Sequence, residues 1–551
     1  MGPMPSPAAV DPTADLRDAV AGAADSLRGG AEGGAPPALE RPPREELGDY
    51  STNAPLLLAP LVGSPPREVA GDFVEELSKR LGDDVSELEV AGPGFVNLRL
   101  ADGWYRRSLA TVLADERFGA GVQPEPRRCL IEFVSANPTG PLTAAGGRHA
   151  AYGDALARLL EFSGHEVGRE YYVNDTGGQV RRFAESIAAR MTGDELPEDG
   201  YQGEYVAELA AQLESEGIAP TEIERLEARG TELMLAQVRE TLGRFGVEFD
   251  AFASERALHE SGGVEAALGQ LRERGQVYES EGAVWLRTSA FGDDKDRVLV
   301  RSGGEPTYFL ADVAYHSDKL RRDWEVLIDV LGADHHGYVG RMRAALAALG
   351  AAPESFEALI MQLVHIVEGG ARAQMSKRKG EFVTLDELVD DIGRDAARFF
   401  MLHRSHDTTV ELDLELARKQ SNENPVYYVQ YAHARIASIL RKAGVDDAVA
   451  ATAAGLTESA WPREAAERTL LKRLLELPGE VAEATERRAP HRLCAYAGAV
   501  AADFHSFYRD CQVVGAEGEG VEQARLALCA ATKRTIARTF GLLGIDAPER
   551  M

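Results

Sequence analysis

Two distant segments hold residue types that could handle a nucleotide's phosphates. The first is Asn137-Pro138-Thr139-Gly140-Pro141, which follows the apolar run Leu130–Val134 and precedes a stretch with Tyr152, Leu156, Leu159 and Leu160 on one helical face. Proline and glycine stop both strand and helix there. The backbone N–H groups of Ala144 to Gly147 would then open a helix, whose unpaired donors and dipole attract a phosphate. The second segment is Met375-Ser376-Lys377-Arg378-Lys379-Gly380. The chain has only nine lysines, and two of them fall here. A lysine loop after the last strand of a parallel sheet can close over a triphosphate and offset charge as it develops. Taken singly, the first could equally be a tight packing turn and the second a solvated charge patch.

The elements that must position these segments follow from periodicity. Strands are expected at Leu130–Val134, Val167–Val173, Glu325–Leu331 and Leu359–Val367, alternating with helices, which argues for a parallel Rossmann-like sheet. Thr384 and Glu387 form a capping-box pair that starts a helix after the lysine segment. Residues 180–290 read as charged helices inserted into the sheet. Upstream, helices are expected over 12–27, 48–62 and 66–81, with a strand pair around Pro93-Gly94. From Leu412 onward the pattern is all helical. The fold class is α/β, in three domains: an α+β unit over 1–115, a catalytic unit over 116–410 and a helical unit over 411–551.

Bulk properties narrow the setting. The net charge of −29 argues against nucleic acid as a general surface partner but leaves room for a local basic face. Four scattered cysteines make no C-x-x-C pair, so zinc and a disulfide framework are unsupported. No apolar run reaches the roughly 20 residues that span a bilayer, and no secretory signal is visible. A cytoplasmic monomer is the plain expectation.

Longer motifs sharpen the reading. They include Glu132-Phe133-Val134-Ser135-Ala136-Asn137, Arg169-Glu170-Tyr171-Tyr172-Val173-Asn174-Asp175, Pro306-Thr307-Tyr308-Phe309 and Asp312-Val313-Ala314-Tyr315. Gly332-Ala333-Asp334-His335-His336-Gly337-Tyr338, Asn424-Pro425-Val426-Tyr427-Tyr428 and the closing Ala547-Pro548-Glu549-Arg550-Met551 follow in order. Together they resemble the arginyl-tRNA synthetases of class I, from about residue 40 to the end. The resemblance implies activation of L-arginine by ATP with Mg2+ to arginyl-adenylate, and transfer to the terminal adenosine of tRNA(Arg). It assigns Glu132, Ser135, Asn137, Tyr308, Asp312 and Asp334 to arginine. Gly140, Ala144, Gly146, Gly147, His335, His336, Met375, Ser376 and Lys377 go to ATP. Asn53, Asn97, Tyr427, Tyr431 and Arg435 go to tRNA, with Arg418, Lys419, Arg441 and Lys442 as candidate phosphate contacts. No metal cage is implied.

One departure stands out. The family's His-x-Gly-His falls on Thr143-Ala144-Ala145-Gly146, so both histidines are missing, and Gln374 replaces the lysine that opens the second signature. Compensation is expected from Thr143, Arg148, His149 and Arg378, with Thr143, Arg148 and Lys377 as the catalytic set. The alternative left open is a silent paralogue that binds tRNA or arginine.

Overall fold

A computed structural model describes residues 11–30, 33, 35–120, 125–372, 383–446, 450, 456 and 460–551. Met375, Ser376, Lys377 and Arg378 lie outside the described residues.

The N-terminal unit packs helices α1 (Pro12–Arg28), α2 (Ala54–Val62) and α3 (Pro66–Leu81) on an antiparallel sheet of β1 (Leu39–Glu40), β2 (Tyr50–Thr52), β3 (Val85–Ala91) and β4 (Phe95–Leu100), in the order β1-β2-β4-β3. The four-residue spacing of Val69, Phe73, Leu77 and Leu81 buries one face of α3 as expected. The expected helix over 48–62 is wrong in its first half. Tyr50–Thr52 is a strand, held because Asp49 binds the Leu100 N–H at 2.8 Å and β2 pairs with β4. Helix α4 (Asp102–Ala114) leads out of this unit.

The central sheet is parallel throughout. It contains β5 (Arg128–Glu132), β6 (Glu166–Val173), β7 (Ala251–Ser254), β11 (Val326–Gly332) and β12 (Phe356–Met361), ordered β12-β11-β5-β6-β7. The chain leaves β5 in both lateral directions, so the ends of β5 and β11 flank a crevice where open α/β sheets bind ligands. Helix α5 (Ala144–Phe162) follows β5, and α6 (Gly178–Thr192), α7 (Glu204–Ser215) and α8 (Ile223–Arg244) form the insertion. The insertion is not purely helical. Besides α9 (Glu255–Glu260) and α10 (Gly263–Glu273), residues 180–290 hold β7 and the hairpin strands β8 (Val277–Ser280) and β9 (Ala283–Leu286), which continue to β10 (Arg297–Val300). Four-residue strands carry too little alternation to register in the sequence.

Helices α11 (Tyr308–Arg321) and α12 (Tyr338–Ala348) flank β11. The single strand expected over 359–367 is two. It breaks at Gln362-Leu363, and β13 (Val364–Glu368) joins a separate small sheet, β14-β13-β15, with β14 (Ala371–Arg372) and β15 (Val410–Asp413). The boundary expected at 410 therefore falls inside a strand that pairs with the catalytic unit. Helices α13 (Leu385–Ile392), α14 (Arg394–Leu402) and α15 (Leu414–Arg418) lead into α16 (Pro425–Ala443) and the last helices, α17 (Ala465–Leu475), α18 (Leu477–Glu486), α19 (His491–Asp510) and α20 (Val521–Leu543). No helix among the described residues is long and apolar enough to cross a membrane.

One continuous core runs from Leu16 to Ile545 through all three units. Buried ion pairs reinforce the joints. Lys472 on α17 binds Asp49 at 2.8 Å. Arg398 on α14 binds Asp154 of α5 at 2.5 Å, the Leu543 carbonyl at 3.0 Å and the Phe245 carbonyl at 3.1 Å. Gly544, at φ +67°, must be glycine, because a Cβ there would sit 2.2 Å from the Arg398 guanidinium.

Candidate active site

Strand β5 delivers Glu132 to the crevice, and the backbone then reverses sharply. Val134 (φ +67°) and Ser135 (φ +39°) are both left-handed, and the Ser135 N–H donates to the Phe133 carbonyl at 2.9 Å, closing a γ-turn. A β-branched residue in that conformation is strained, and such strain concentrates at functional loops. Its effect is local and visible. The Ser135 hydroxyl turns back to donate to Glu132 Oε1 at 2.9 Å while accepting from the Tyr172 N–H at 3.0 Å. Ser135 therefore orients Glu132, and its one O–H donor is spent there.

Helix α11, capped by Thr307, supplies the facing wall. Lys319 is fully buried and binds Glu132 Oε2 at 2.5 Å and Asp329 Oδ1 at 3.0 Å, with its ammonium 4.3 Å from the Tyr315 ring centre. Burial alone would lower the lysine pKa. The carboxylates of Asp329 and Glu132 more than offset that and raise it. His316 bridges Asp329 and the Asp312 carbonyl, each at 2.8 Å. Glu170 takes a bidentate pair from Arg322 at 2.5 and 2.9 Å and the Tyr315 hydroxyl at 2.7 Å. Glu132, Asp329 and Glu170 are thus each paired with a lysine or arginine.

Asp312 is different. Among the described residues no lysine or arginine forms an ion pair with it. Burial pushes its carboxyl up to about 7, Glu132 and Glu255 push the same way, and His316 and the Tyr338 hydroxyl oppose them. Such a carboxyl beside Glu132 is built to receive a cation from outside. Tyr308, one helical turn before it, is 67% exposed, and its hydroxyl lies 3.5 Å from where a Cβ on Gly177 would sit. Asn137 Nδ2 donates to Gln179 at 2.6 Å at the rim. Asp334, His335 and His336 are exposed just beyond β11, with His335 edge-on to Tyr338.

The phosphate turn departs from expectation. Three of its helix-opening N–H groups are already bonded. Ala144 donates to the Val383 carbonyl at 3.0 Å, Gly146 to Thr143 Oγ1 at 3.3 Å and Gly147 to the Thr143 carbonyl at 3.1 Å. The Leu385 N–H donates to the Leu142 carbonyl at 2.8 Å, so the chain returning after residue 382 docks on the turn itself. Gly147 is needed for that close packing, since a Cβ there would sit 2.6 Å from Leu385. Gly140 is covered by Tyr205, whose hydroxyl donates to the Thr139 carbonyl at 2.9 Å.

Two proposed stand-ins for the missing histidines do not serve. The Arg148 side chain is fully buried, and its guanidinium is held by the carbonyls of Gln362, Ser405 and Thr408 at 2.7–2.8 Å, away from the turn. Burial pushes the His149 imidazole down to about 4, so near neutral pH it adds no positive charge. Thr143 remains at the turn.

Family models match three stretches of the chain. Residues 14–100 match the arginyl tRNA synthetase N terminal domain, 222–437 the catalytic domain of class I (R) tRNA synthetases, and 429–551 the DALR anticodon binding domain. A solved structure from Campylobacter jejuni, described provisionally as an arginyl-tRNA synthetase, is 34% identical. The match covers 82% of this chain and all of that one, with a TM-score of 0.75. The chain belongs to the arginyl-tRNA synthetases. It is an arginine–tRNA ligase of class I, and its family uses ATP. The Thermus thermophilus arginyl-tRNA synthetase is 27% identical over 97% of this synthetase and 99% of its own chain, TM-score 0.75. The Plasmodium falciparum structure, 14% identical over 99% of this chain and 100% of its own, shares the fold with a TM-score of 0.76. The matched catalytic stretch starts at residue 222, so the turn without histidines lies outside it.

Two further pockets in the synthetase collect the residues expected to meet tRNA. One, of about 430 Å³, is lined by Asn53 and Asn97 with Ser51 and exposed Phe95. The other, of about 470 Å³, is lined by Tyr431, Arg435, Arg441, Lys442, Tyr508 and Arg550. Tyr427 stacks on Tyr431 at 6.2 Å but borders a separate cleft. Arg418 and Lys419 are exposed, the first paired with Asp391 and Glu368 and the second with Glu423.

Lys319, Glu255 and Tyr508 escape the sequence reading, and Tyr338 is named there within a motif but given no role. A scarce lysine seven residues after Asp312, on the same helix, was the one available signal.

Asp312 also sets a pH dependence. A guanidinium stays charged throughout the working range, and it binds the ionised carboxylate. Below about 7 the empty site holds a proton on Asp312 that a guanidinium docking there would have to displace. Arginine affinity should therefore weaken about tenfold per pH unit below that value and level off above it. Arginine KM measured from pH 5.5 to 8.5 checks this, and a flat profile would contradict it.

Proposed function

We propose that Asp312 receives the arginine guanidinium, with Glu132 behind it, Tyr308 across the mouth, and Asn137 and Asp334 at the outer end. The observation that carries this is the half-buried Asp312 carboxyl at the β5–β11 crevice, with which no lysine or arginine among the described residues forms an ion pair. ATP lies at the mouth of the crevice near Thr143, His335 and His336, and Met375, Ser376 and Lys377 serve its phosphates. Mg2+ arrives with the nucleotide.

The arginine carboxylate is already ionised, so it attacks the α-phosphorus without a general base, and pyrophosphate leaves. The work is positioning and charge stabilisation. A hydroxyl of the terminal adenosine of tRNA(Arg) then takes the arginyl group and AMP leaves. The Asn53–Asn97 pocket and the Tyr431–Arg435 pocket hold the tRNA, with Tyr427 beside the second. The protein acts as a cytoplasmic monomer of three domains, the first ending near residue 115 and the last beginning after β15.

Arginine-dependent ATP–pyrophosphate exchange, run with and without tRNA(Arg) and followed by a charging assay, tests the reading. Exchange with charging is expected. No exchange under any condition would refute this site, and exchange without charging would point to an acceptor other than tRNA.

A further inference from the structure

Arg148 presents a physical problem that the reaction does not explain. Its side chain is fully buried on α5, and among the described residues no carboxylate forms an ion pair with it. Four backbone carbonyls surround its guanidinium: Gln362 at 2.7 Å, Leu363 at 3.5 Å, and Ser405 and Thr408 each at 2.8 Å. Nε has no partner. A buried cation hydrogen-bonded only to neutral carbonyls, with the Asp407 charge acting on it without a direct contact, is an expensive arrangement that a methionine of similar length would avoid.

The four carbonyls share a location. Gln362 and Leu363 form the bend where β12 ends and β13 begins, and Ser405 to Thr408 form the loop that leads into β15. The two loops also bind each other, Gln362 N–H to the His406 carbonyl at 2.8 Å and Val410 N–H to the Leu363 carbonyl at 3.0 Å. β13 and β15 then run side by side, starting at Val364 opposite Val410. Arg148 thus grips the root of the small sheet from which the chain departs, through β14, toward residue 373. The return at Val383 to Leu385 is fastened to Leu142 and Ala144 at the start of the same helix. Departure and return of the second-signature segment are both referenced to α5, one by Arg148 and one by the phosphate turn.

We propose that Arg148 is a positioning residue for arginine activation, fixing the root of the second-signature segment against the first-signature helix. It touches neither arginine nor ATP. This inference rests on the reading of Lys377 given above. It predicts a defect in the rate of adenylation and none in arginine binding, because Asp312 and Glu132 stand on other elements. A misplacement of about 1 Å far from the reacting atoms can cost about 10²-fold in rate.

The test compares Arg148→Met and Arg148→Lys in the full chain, by thermal melting and by steady-state exchange with tRNA present. Arg148→Met should lower exchange kcat about 10²-fold with arginine KM within about twofold of the parent. Arg148→Lys keeps the charge but not the planar fork that reaches both loops, so it should recover part of the loss. Should the methionine variant not fold, the lysine variant decides: kcat lowered with KM kept supports the proposal. A kcat within twofold of the parent in a folded variant, or a rise in arginine KM that accounts for the loss, overturns it. Lys377→Ala run alongside separates the two readings, because full exchange in that variant refutes the Lys377 assignment whatever Arg148 does.

Discussion

Asp312→Asn should remove most arginine activation while leaving the protein at least as stable as the parent. Arginine's guanidinium would enter a buried site and find an amide where a carboxylate should be. Losing one partner of a buried charge pair costs about 3–5 kcal/mol, roughly 10²- to 10⁴-fold in kcat/KM for arginine. Stability moves the other way. Folding raises the Asp312 carboxyl from 3.8 to about 7, so ionising it destabilises the empty fold as pH rises through that window. Asparagine, close in shape and always neutral, escapes that penalty at neutral pH. Exchange kinetics and melting at pH 7.5 should diverge, with activity lost and melting temperature kept or raised. A variant that lost both together would mark Asp312 as a structural carboxylate.

Lys377→Ala should depress exchange kcat by about 10²- to 10³-fold, as the loss of a transition-state donor typically does. The described structure pushes the expectation toward the upper end. Both histidines of the usual turn are absent. Three of the turn's N–H groups are spent on Val383 and Thr143, Arg148 points into protein, and His149 is neutral. Few donors near the turn remain to share the triphosphate charge. Arginine KM should barely change, because Asp312 and Glu132 stand on α11 and β5. Single-turnover formation of arginyl-adenylate measures this directly. A loss below tenfold would mean that other groups carry the phosphate charge.

The sequence showed the parallel sheet because β5 and β11 carry apolar runs and β6 carries valines and tyrosines, and each lies within two residues of its expected span. It hid β7, whose Ala251-Phe252-Ala253-Ser254 has neither length nor alternation and becomes a strand by pairing with β6. It merged β12 with β13 because the break at Gln362-Leu363 is set by contacts with the 405–410 loop, far along the chain. At the site the same division holds. Motif order singles out Glu132, Asn137, Tyr308 and Asp312 as candidates. The pairing of Lys319 with Glu132, 187 positions apart, was not. Arg148 was misread because adjacency to a turn in sequence says nothing about which side of a helix a side chain leaves from. The charge states inferred here come from burial, which no local pattern reports.

Arg398 carries a lesson for anyone wishing to dissect the protein. Its guanidinium is satisfied by one residue from the first-signature helix, one from the insertion and one next to the final Gly544. Removal of the last helices would uncover the shared core and strip a hydrogen-bond acceptor from an arginine that remains buried among the other two. A shortened chain ending near residue 410 is therefore not a smaller version of the enzyme. The borders that family models draw along this chain mark units of ancestry, and the protein's physical unit is the whole of it.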